Sequence, residues 1–261
     1  MELYNLREAK LIMPQFFIDK KFDKDDLIDI RGNDARHILG ALRLGLGDWI
    51  LLSDGEGKNF RAVIEDVRTN SLTARLGERL KRRNPAPPPV LALAFAKKER
   101  FEWCIEKAVE LGCTRIIPFL GARCVAKLGE DAAKKKRRWN EIALSAAKQS
   151  GLPTRPCIDD PTTFEEVCKI SGQFDHAVMF FEGEDKLSAD IFWGSLEKKR
   201  GEKHLIFVGP EGGFTSKEIA LAATAGIKTL SLGPQILRVE TAAISAIAIW
   251  QYNLGNMSAR P

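Results

Sequence analysis

The sequence has no long hydrophobic run. A helix that spans a membrane needs roughly 20 consecutive apolar residues, whereas the most apolar stretch, 241–252, is shorter and has a polar end. Residues 1–10 mix acidic and basic side chains and lack the apolar segment of a secretion signal. We therefore expect a cytoplasmic protein that has no membrane partner.

Residues that commonly bind metals are scarce and widely spaced. The chain has three histidines and five cysteines, and no two cysteines form a Cys-x-x-Cys pair. An odd number of unevenly spaced cysteines argues against both a disulfide framework and a zinc site. We expect no metal cofactor, and we interpret the cysteines as small buried hydrophobic residues: Cys104, Cys113, Cys124, Cys157 and Cys168.

Positive charge is in modest excess, at a formal net charge of +5, and it is concentrated in two places. Arg79, Lys81, Arg82 and Arg83 lie close together, and 134–138 is an unbroken basic run. Clusters of this kind can neutralise the phosphates of a nucleic acid. The same pattern is equally typical of a solvated face or a linker, so charge alone leaves both interpretations open.

A proline-rich segment, RRNPAPPP at 82–89, can continue neither a helix nor a central strand. It predicts two domains, at 1–83 and 90–261, joined by a linker at 84–89. The first is expected to be a small β-barrel, because short β-type runs occur at 15–18, 49–53, 60–67 and 72–76. One helix is expected there, from an N-capping Asn33 to Leu42.

Strands and helices alternate in the second domain. Expected strands at 90–96 and 115–120 flank a helix at 100–111, and a long helix follows at about 130–150. Three continuous apolar runs then follow at 177–181, 205–208 and 229–232. Such runs are typical of parallel strands that are buried on both faces, so we predict an α/β fold with a parallel sheet.

Three unusual loops follow those apolar strands, at 181–184, 209–214 and 233–240. Ligands of open parallel sheets bind at the carboxyl ends of the strands, where these loops are expected to meet. The second loop, GPEGGF, has glycines that let a ligand approach bare backbone, and Thr215 with Glu218 predicts a capping box for the next helix. It matches neither G-x-G-x-x-G nor a Walker motif, which disfavours dinucleotide and nucleoside triphosphate binding.

Arg238 lies between apolar residues just before a hydrophobic helix, where an arginine needs a partner. That partner is either a local carboxylate such as Glu240, or a phosphate or base edge.

Several strings resemble the bacterial 16S ribosomal RNA uridine-N3 methyltransferases, a family of the SPOUT superfamily of knotted methyltransferases. GPEGGF at 209–214 and LGPQILRVETAAISA at 232–246 resemble the family signature. The resemblance extends over nearly the whole chain, with RHILGALRLGLGD at 36–48, ERFEWCIEKAVELGCTRIIPF at 99–119 and RWNEIALSAAKQSG at 138–151. Gln235, Val239 and Leu152 depart from the family pattern, which puts contacts of those three side chains in doubt.

The resemblance implies a PUA-like RNA-binding β-barrel at 1–83 and a SPOUT catalytic domain with a C-terminal trefoil knot at 90–261. It also implies a homodimer that binds S-adenosylmethionine and methylates N3 of a uridine in 16S ribosomal RNA, either as naked RNA or in the assembled small subunit. Arg238 is interpreted as catalytic. RNA contacts are assigned to Arg36, Arg43, Arg79, Arg82, Arg83, Arg123 and Arg155.

The residues that the resemblance assigns to the cofactor come from the three loops and the helix that follows. They are Phe181, Glu182, Gly183, Val208, Gly209, Pro210, Glu211, Gly212, Gly213, Leu232, Gly233, Ile236, Leu237, Arg238, Glu240, Thr241 and Ala242. Glu182 and Glu211 are equal candidates for the cofactor's amine or ribose. No general base is assigned, because Glu240 in a first helical turn is better suited to capping.

Two other functions are weighed. A ribose 2′-O-methyltransferase acting on transfer RNA would share the cofactor loops, and a non-enzymatic RNA-binding assembly factor would keep the fold without turnover. The N-terminal barrel and the LRVETA string favour the uridine-N3 family, and cofactor binding would separate an enzyme from an assembly factor.

Overall fold

The computed structural model describes residues 14–19, 21–80, 86–125, 131–197 and 201–258, which form two compact units. The first unit comprises residues up to Arg82 together with Lys148–Arg155, and the second comprises the rest of the chain. The inclusion of Lys148–Arg155 in the first unit was not predicted. The linker at 84–89 stays a prediction, because 81–85, including Arg82 and Arg83, lie outside the described residues.

The first unit is built on a five-stranded sheet of order β1-β3-β4-β5-β2. Neighbouring strands are antiparallel except for the parallel pair β1–β3. Buried and exposed residues alternate along β2 and through most of β5, so that one face carries the core, including Ile30, Leu72 and Ala74. The strands are β1 (Gln15–Phe17), β2 (Leu27–Arg31), β3 (Trp49–Ser53), β4 (Asn59–Val67) and β5 (Ser71–Arg79).

The helix expected at Asn33–Leu42 is only partly α-helical. Helix α1 covers Gly32–Arg36 and is followed by a π-helical turn at His37–Ala41. The capping role expected for Asn33 is wrong, because Arg31 occupies the N-cap position and makes no side-chain capping bond. The widened turn buries Ile38 in the core of the unit.

Lys148–Arg155 packs on the first unit through backbone carbonyls. Gln15 Nε2 donates to the carbonyl of Leu152 at 2.6 Å, and Ser53 Oγ donates to that of Pro153 at 2.6 Å. These bonds satisfy two buried polar side chains, because Gln15 and Ser53 are almost fully inaccessible to solvent.

The second unit contains the expected parallel sheet, with the strand order β12-β10-β11-β6-β7-β8 and with β9 paired to β7. Every pairing in this sheet is parallel, which confirms the α/β prediction. The strands are β6 (Val90–Ala94), β7 (Arg115–Leu120), β8 (Cys157–Ile158), β9 (Thr162–Thr163), β10 (His176–Phe180), β11 (His204–Val208) and β12 (Lys228–Leu230).

Six α-helices are described in this unit, one of which, α3, continues into the first unit. They are α2 (Lys98–Glu110), α3 (Ala132–Ser150), α4 (Phe164–Ile170), α5 (Ala189–Gly194), α6 (Ser216–Thr224) and α7 (Val239–Asn253). Helices α2 and α7 pack together, and the Gln251 side chain of α7 donates to the carbonyl of Leu111 at 2.7 Å. No helix in the described part of the chain is long and apolar enough to cross a membrane.

The cysteines are not all buried. Cys104, Cys113 and Cys168 are buried as expected, and Cys124 is half-buried. The prediction is wrong for Cys157, which is exposed because it lies in the two-residue strand β8 at the edge of the sheet.

Candidate active site

Three loops meet at one edge of the second unit's sheet. The first loop (181–187) follows β10, the second loop (209–215) follows β11, and the third loop (231–238) follows β12. Because these strands are parallel neighbours, their carboxyl ends lie side by side. The three loops line a single cleft of about 290 Å³.

The first loop is held by Glu184. One carboxylate oxygen accepts bonds from the backbone N–H groups of Lys186 and Leu187 at 2.9 and 3.1 Å, and the other accepts from Thr229 Oγ1 of β12 at 2.5 Å. The Thr229 bond is the main reason that the pKa of Glu184 is below its usual range. An ionised Glu184 therefore ties the first loop to the neighbouring strand.

The second loop requires glycine for close packing. A Cβ atom on Gly209 would lie 2.8 Å from the ring of Phe214, which is itself buried against Phe164. Gly213 has φ +66°, and a Cβ there would collide with the carboxylate of Glu182 from the first loop. The first and second loops therefore interlock, and side chains at 209 or 213 would separate them.

The predicted capping box after the second loop is confirmed. Thr215 N donates to Glu218 Oε2 at 2.7 Å, and Glu218 N donates to Thr215 Oγ1 at 3.2 Å. Glu218 has a second contact that the sequence did not predict, because its Oε1 accepts from the backbone N–H of Ala122 at 2.9 Å. This buried carboxylate thus links α6 to the segment that follows β7.

The third loop contains the most exposed of the cleft residues with large hydrophobic side chains, Ile236, which is 86% accessible. Gly233 has φ +109° and turns the chain toward α7, where Arg238 occupies the N-cap position. The Arg238 side chain is exposed and has no hydrogen bond or ion pair with any described residue. Its guanidinium is therefore available to a ligand in the cleft.

Glu240 does not pair with Arg238. Its Oε1 lies 4.0 Å from Nε of Arg100, and its Oε2 is buried without a hydrogen-bond partner in the described structure. The capping role expected for Glu240 is not observed. Arg100 also lies 3.4 Å from Glu211 Oε1 through Nη1, so that one guanidinium faces carboxylates from the second loop and from α7.

Arg100 lines the cleft and was missed by the sequence analysis. Its position after a strand could have indicated it. Arg100 lies in the first turn of α2, shortly after β6, and β6 is the sheet neighbour of β11, which carries the second loop. One turn further along α2, burial raises the pKa of the Cys104 thiol to about 12, with Glu240 and Glu211 adding to the effect. Cys104 is therefore unsuited to act as a nucleophile.

The structure brings most of the expected cofactor residues into the cleft lining. The exceptions are Gly183, Gly212, Glu240 and Thr241, which lie in the same loops or beside them. Residues that were not expected also line the cleft: Arg100, Phe180, Phe214, Ser231, Gln235 and Val239.

The arginines expected to bind RNA are distributed over both units. Arg36, Arg43, Arg79 and Arg155 are exposed in the first unit. Arg36 donates to Asn33, and Arg155 pairs with Asp19 at 2.6 Å. Arg123 lies in the second unit, beside the second loop.

Comparison with protein families identifies the class of protein to which this fold and loop cluster belong. An RNA methyltransferase domain family matches residues 83–251, and an RNA methyltransferase PUA domain family matches 30–77. The match at 30–77 covers strands β3 and β4 and parts of β2 and β5 of the first unit. The match at 83–251 covers the parallel sheet of the second unit and the three loops.

Individual relatives agree along almost the full length. The chain is 31% identical to ribosomal RNA small subunit methyltransferase E of Bacillus subtilis, over 92% of this chain and 96% of that protein. It is 37% identical to the protein of that name from Mesomycoplasma hyopneumoniae, over 89% and 96%. A crystal structure of the Neisseria gonorrhoeae enzyme bound to S-adenosyl methionine aligns with a TM-score of 0.80 at 31% identity, covering 92% of this chain and 97% of that one. The chain belongs to the ribosomal RNA small subunit methyltransferase E family, which confirms the resemblance inferred from the motifs.

Proposed function

We propose that this protein methylates N3 of a specific uridine in 16S ribosomal RNA of the small ribosomal subunit, with S-adenosylmethionine as the methyl donor. The observation that carries the proposal is the convergence of the three loops on one cleft whose shape depends on bare backbone at Gly209 and Gly213. Relatives that align over most of this chain are small-subunit ribosomal RNA methyltransferases, and one was crystallised with the cofactor.

The residues of the cleft fit this cofactor. Glu182 and Glu211 offer carboxylates to an ammonium group or to ribose hydroxyls, and Ile236 and Leu237 offer apolar walls. The unpartnered, buried Oε2 of Glu240 is one more acceptor beside the cleft residue Arg100, and a buried acceptor of this kind calls for a partner. The proposed cofactor-binding set consists of the expected residues that line the cleft, Ala242 among them, and of Gly183, Gly212, Glu240 and Thr241 beside it.

The reaction requires the protein to align the methyl donor with the uracil and to stabilise the charge that develops on the base. S-adenosylmethionine, when bound, supplies an electrophilic methyl group: the N3–carbon bond forms as the carbon–sulfur bond breaks. The proton of N3 must leave first, which places negative charge on the uracil. Arg238, which is exposed at the cleft and unpaired among the described residues, can donate several hydrogen bonds to that charge. Holding donor and acceptor in line, away from water, supplies much of the remaining rate. No residue is assigned as the general base.

RNA recognition is proposed for the exposed arginines of the first unit, namely Arg36, Arg43, Arg79 and Arg155, with Arg82 and Arg83 beyond the described residues. Their charges can neutralise phosphates and orient the RNA. The PUA domain match at 30–77 includes Arg36 and Arg43 and supports the assignment for these two. The domain limits of 1–83 and 90–261, with the linker at 84–89, remain part of the proposal.

A C-terminal trefoil knot, a homodimer and a cytoplasmic location are proposed as further features of the enzyme. The SPOUT resemblance supports the knot. The dimer is supported by exposed apolar side chains near a second cleft on the second unit, with Ile191 54% and Tyr252 74% accessible. Naked 16S RNA and the assembled subunit both remain candidate substrates.

Transfer of a labelled methyl group tests the proposal. The purified protein is mixed with S-adenosylmethionine and either naked 16S RNA or isolated small subunits that lack the modification. We expect label in one of these RNAs, and none with transfer RNA. The labelling separates the rival functions, since an assembly factor that has lost turnover would transfer no label and a ribose methyltransferase would place it on a 2′-oxygen. Calorimetry without RNA adds whether the protein binds the cofactor.

A further inference from the structure

We propose that Arg123 is a positioning residue that holds the second loop in its cofactor-binding shape through the backbone carbonyls of the loop. The inference rests on the proposed function, because it gives the loop a cofactor to bind. It differs from the role that the sequence suggested for this arginine, which was contact with RNA.

Arg123 lies directly against the loop backbone. Its Nη1 donates to the carbonyls of Gly212 and Phe214 at 3.0 and 3.4 Å. A Cβ atom on Gly212 would lie 2.9 Å from Cβ of Arg123 and 3.3 Å from its carbonyl oxygen. Glycine at 212 therefore lets this exposed arginine, which is not among the lining residues of the cleft, approach the loop backbone.

The segment that carries Arg123 is itself anchored. Ala122 N donates to Glu218 Oε1 at 2.9 Å, and Cys124 N donates to the carbonyl of Gly121 at 3.1 Å. Glu218 is only 6% accessible, and its other oxygen caps α6. Because the backbone on either side of Arg123 is fixed, its guanidinium can hold the loop at little further entropic cost.

These contacts determine which backbone N–H groups the loop can offer. The peptide after Gly212 is bonded on both edges, since its carbonyl accepts from Arg123 and the N–H of Gly213 donates to Pro210 O at 2.9 Å. The peptide after Phe214 is bonded likewise, through Arg123 and through the N–H of Thr215 to Glu218. A planar peptide bonded on both edges cannot rotate freely.

Four other N–H groups of the loop, those of Gly209, Glu211, Gly212 and Phe214, donate to no acceptor among the described residues. Gly209, Glu211 and Phe214 line the cleft, so their N–H groups are left for a ligand. Fixing the flanking peptides keeps these donors oriented before the ligand arrives, and preorganised donors raise affinity. Without Arg123 the loop would have to become ordered when the cofactor binds, and the entropy lost in that ordering would weaken binding.

The experiment compares Arg123→Ala and Arg123→Lys with a matched control, Arg115→Ala. Like Arg123, Arg115 makes hydrogen bonds, in its case to Asp159 at 2.7 to 3.2 Å. It is the first residue of β7 and therefore lies at the end of that strand opposite to Arg123. Three properties that do not depend on methyl transfer are measured on each protein. They are hydrogen exchange of the peptide covering 209–215, the dissociation constant for S-adenosylmethionine, and the dissociation constant for 16S RNA.

We expect Arg123→Ala to speed exchange in the loop and to raise the cofactor dissociation constant on the order of tenfold, as loss of a charge-assisted bond does. RNA affinity should change less than about twofold. Lysine should recover only part of the cofactor affinity, because it lacks the planar fork. Arg115→Ala should leave both loop exchange and cofactor affinity as in the wild type, even if it lowers the melting temperature.

The opposite pattern would overturn the inference. If Arg123 binds phosphate, alanine lowers RNA affinity and its salt dependence, lysine restores both, and cofactor affinity and loop exchange stay unchanged. If the alanine variant does not fold, the lysine variant decides between these two patterns. A wild-type protein that bound no S-adenosylmethionine would refute the proposed function, while loop exchange would still report what Arg123 does.

Discussion

A methyl group added to Gly209 should disable the cofactor site by displacing Phe214. The Cβ of alanine would lie 2.8, 3.1 and 3.1 Å from three ring carbons of Phe214, whereas carbon atoms pack at about 3.5–4.0 Å. The ring or the loop must therefore move by about half an ångström or more. Phe214 cannot easily retreat, since it is 3% accessible and packs against Phe119 and Phe164 with ring centroids 6.4 and 5.6 Å away.

Overpacking of this kind costs about 1–3 kcal/mol. The backbone at Gly209 is not left-handed, so the cost comes from the collision alone. Gly172→Ala is the matched control, because Gly172 also has an ordinary φ and a Cβ there would meet no atom within 4 Å. That change should be neutral or stabilise the protein by up to about 1 kcal/mol, through the lower entropy of the unfolded chain.

Urea denaturation and calorimetry with S-adenosylmethionine measure the two effects. Gly209→Ala should lower the free energy of unfolding by about 1–3 kcal/mol. It should also weaken cofactor binding by about tenfold or more, because the displaced Phe214 is part of the cleft lining. Adding Phe214→Leu, which removes the ring atoms that collide, should cost less than the sum of the single changes. A Gly209→Ala protein with wild-type stability and affinity would refute this account of the loop.

Three other changes test separate parts of the site and fold. Arg238→Ala should lower single-turnover methylation by roughly 10² with cofactor affinity and melting temperature unchanged, and an unchanged rate would remove its catalytic role. Arg100→Met should weaken cofactor binding more than Arg138→Met, whose partner Glu102 does not line the cleft; equal effects in calorimetry would contradict this. Burial, reinforced by His176, lowers the pKa of His204 to about 4, below the usual histidine pKa of about 6.5, so between these two values the unfolded chain takes up a proton that the folded chain does not. Stability should therefore fall as the pH drops from about 6.5 to about 4, and urea denaturation should find a shallower fall in His204→Phe; an identical slope would contradict the assignment.

The parallel sheet was largely predictable from continuous apolar runs. The strands expected at 205–208 and 177–181 are observed at His204–Val208 and His176–Phe180. The pattern is strong because both faces of these strands are buried. Their carboxyl ends fixed the position of the loops, and the glycines of the second loop indicated where the backbone would be approached closely.

Short elements escaped prediction. Helices α4 and α5 have seven and six residues, which is about two turns and too short to display a helical period. The packing of Lys148–Arg155 on the first unit depends on the carbonyls of Leu152 and Pro153, and backbone carbonyls carry no side-chain signal. The π-helical turn at His37–Ala41 likewise depends on tertiary packing of Ile38.

The charge network at the cleft could not be read from spacing. Arg100 meets Glu211 and Glu240 across more than a hundred residues of sequence, through the packing of α2 beside the second loop and α7. Arg238 and Glu240, by contrast, are two residues apart and do not pair. Nearness in sequence made Glu240 one of the possible partners of Arg238, and this pair does not form, because residues i and i+2 at the start of a helix point to different sides.

Nucleoside mass spectrometry of 16S ribosomal RNA from cells that lack this protein tests the central claim most directly. The account predicts that 3-methyluridine disappears from this RNA, returns when the wild-type gene is restored, and stays absent when the Arg238→Ala gene is supplied at equal protein level. Persistence of 3-methyluridine in the deleted cells, or loss of a 2′-O-methyl nucleoside in its place, would contradict the assignment of uridine N3 as the target.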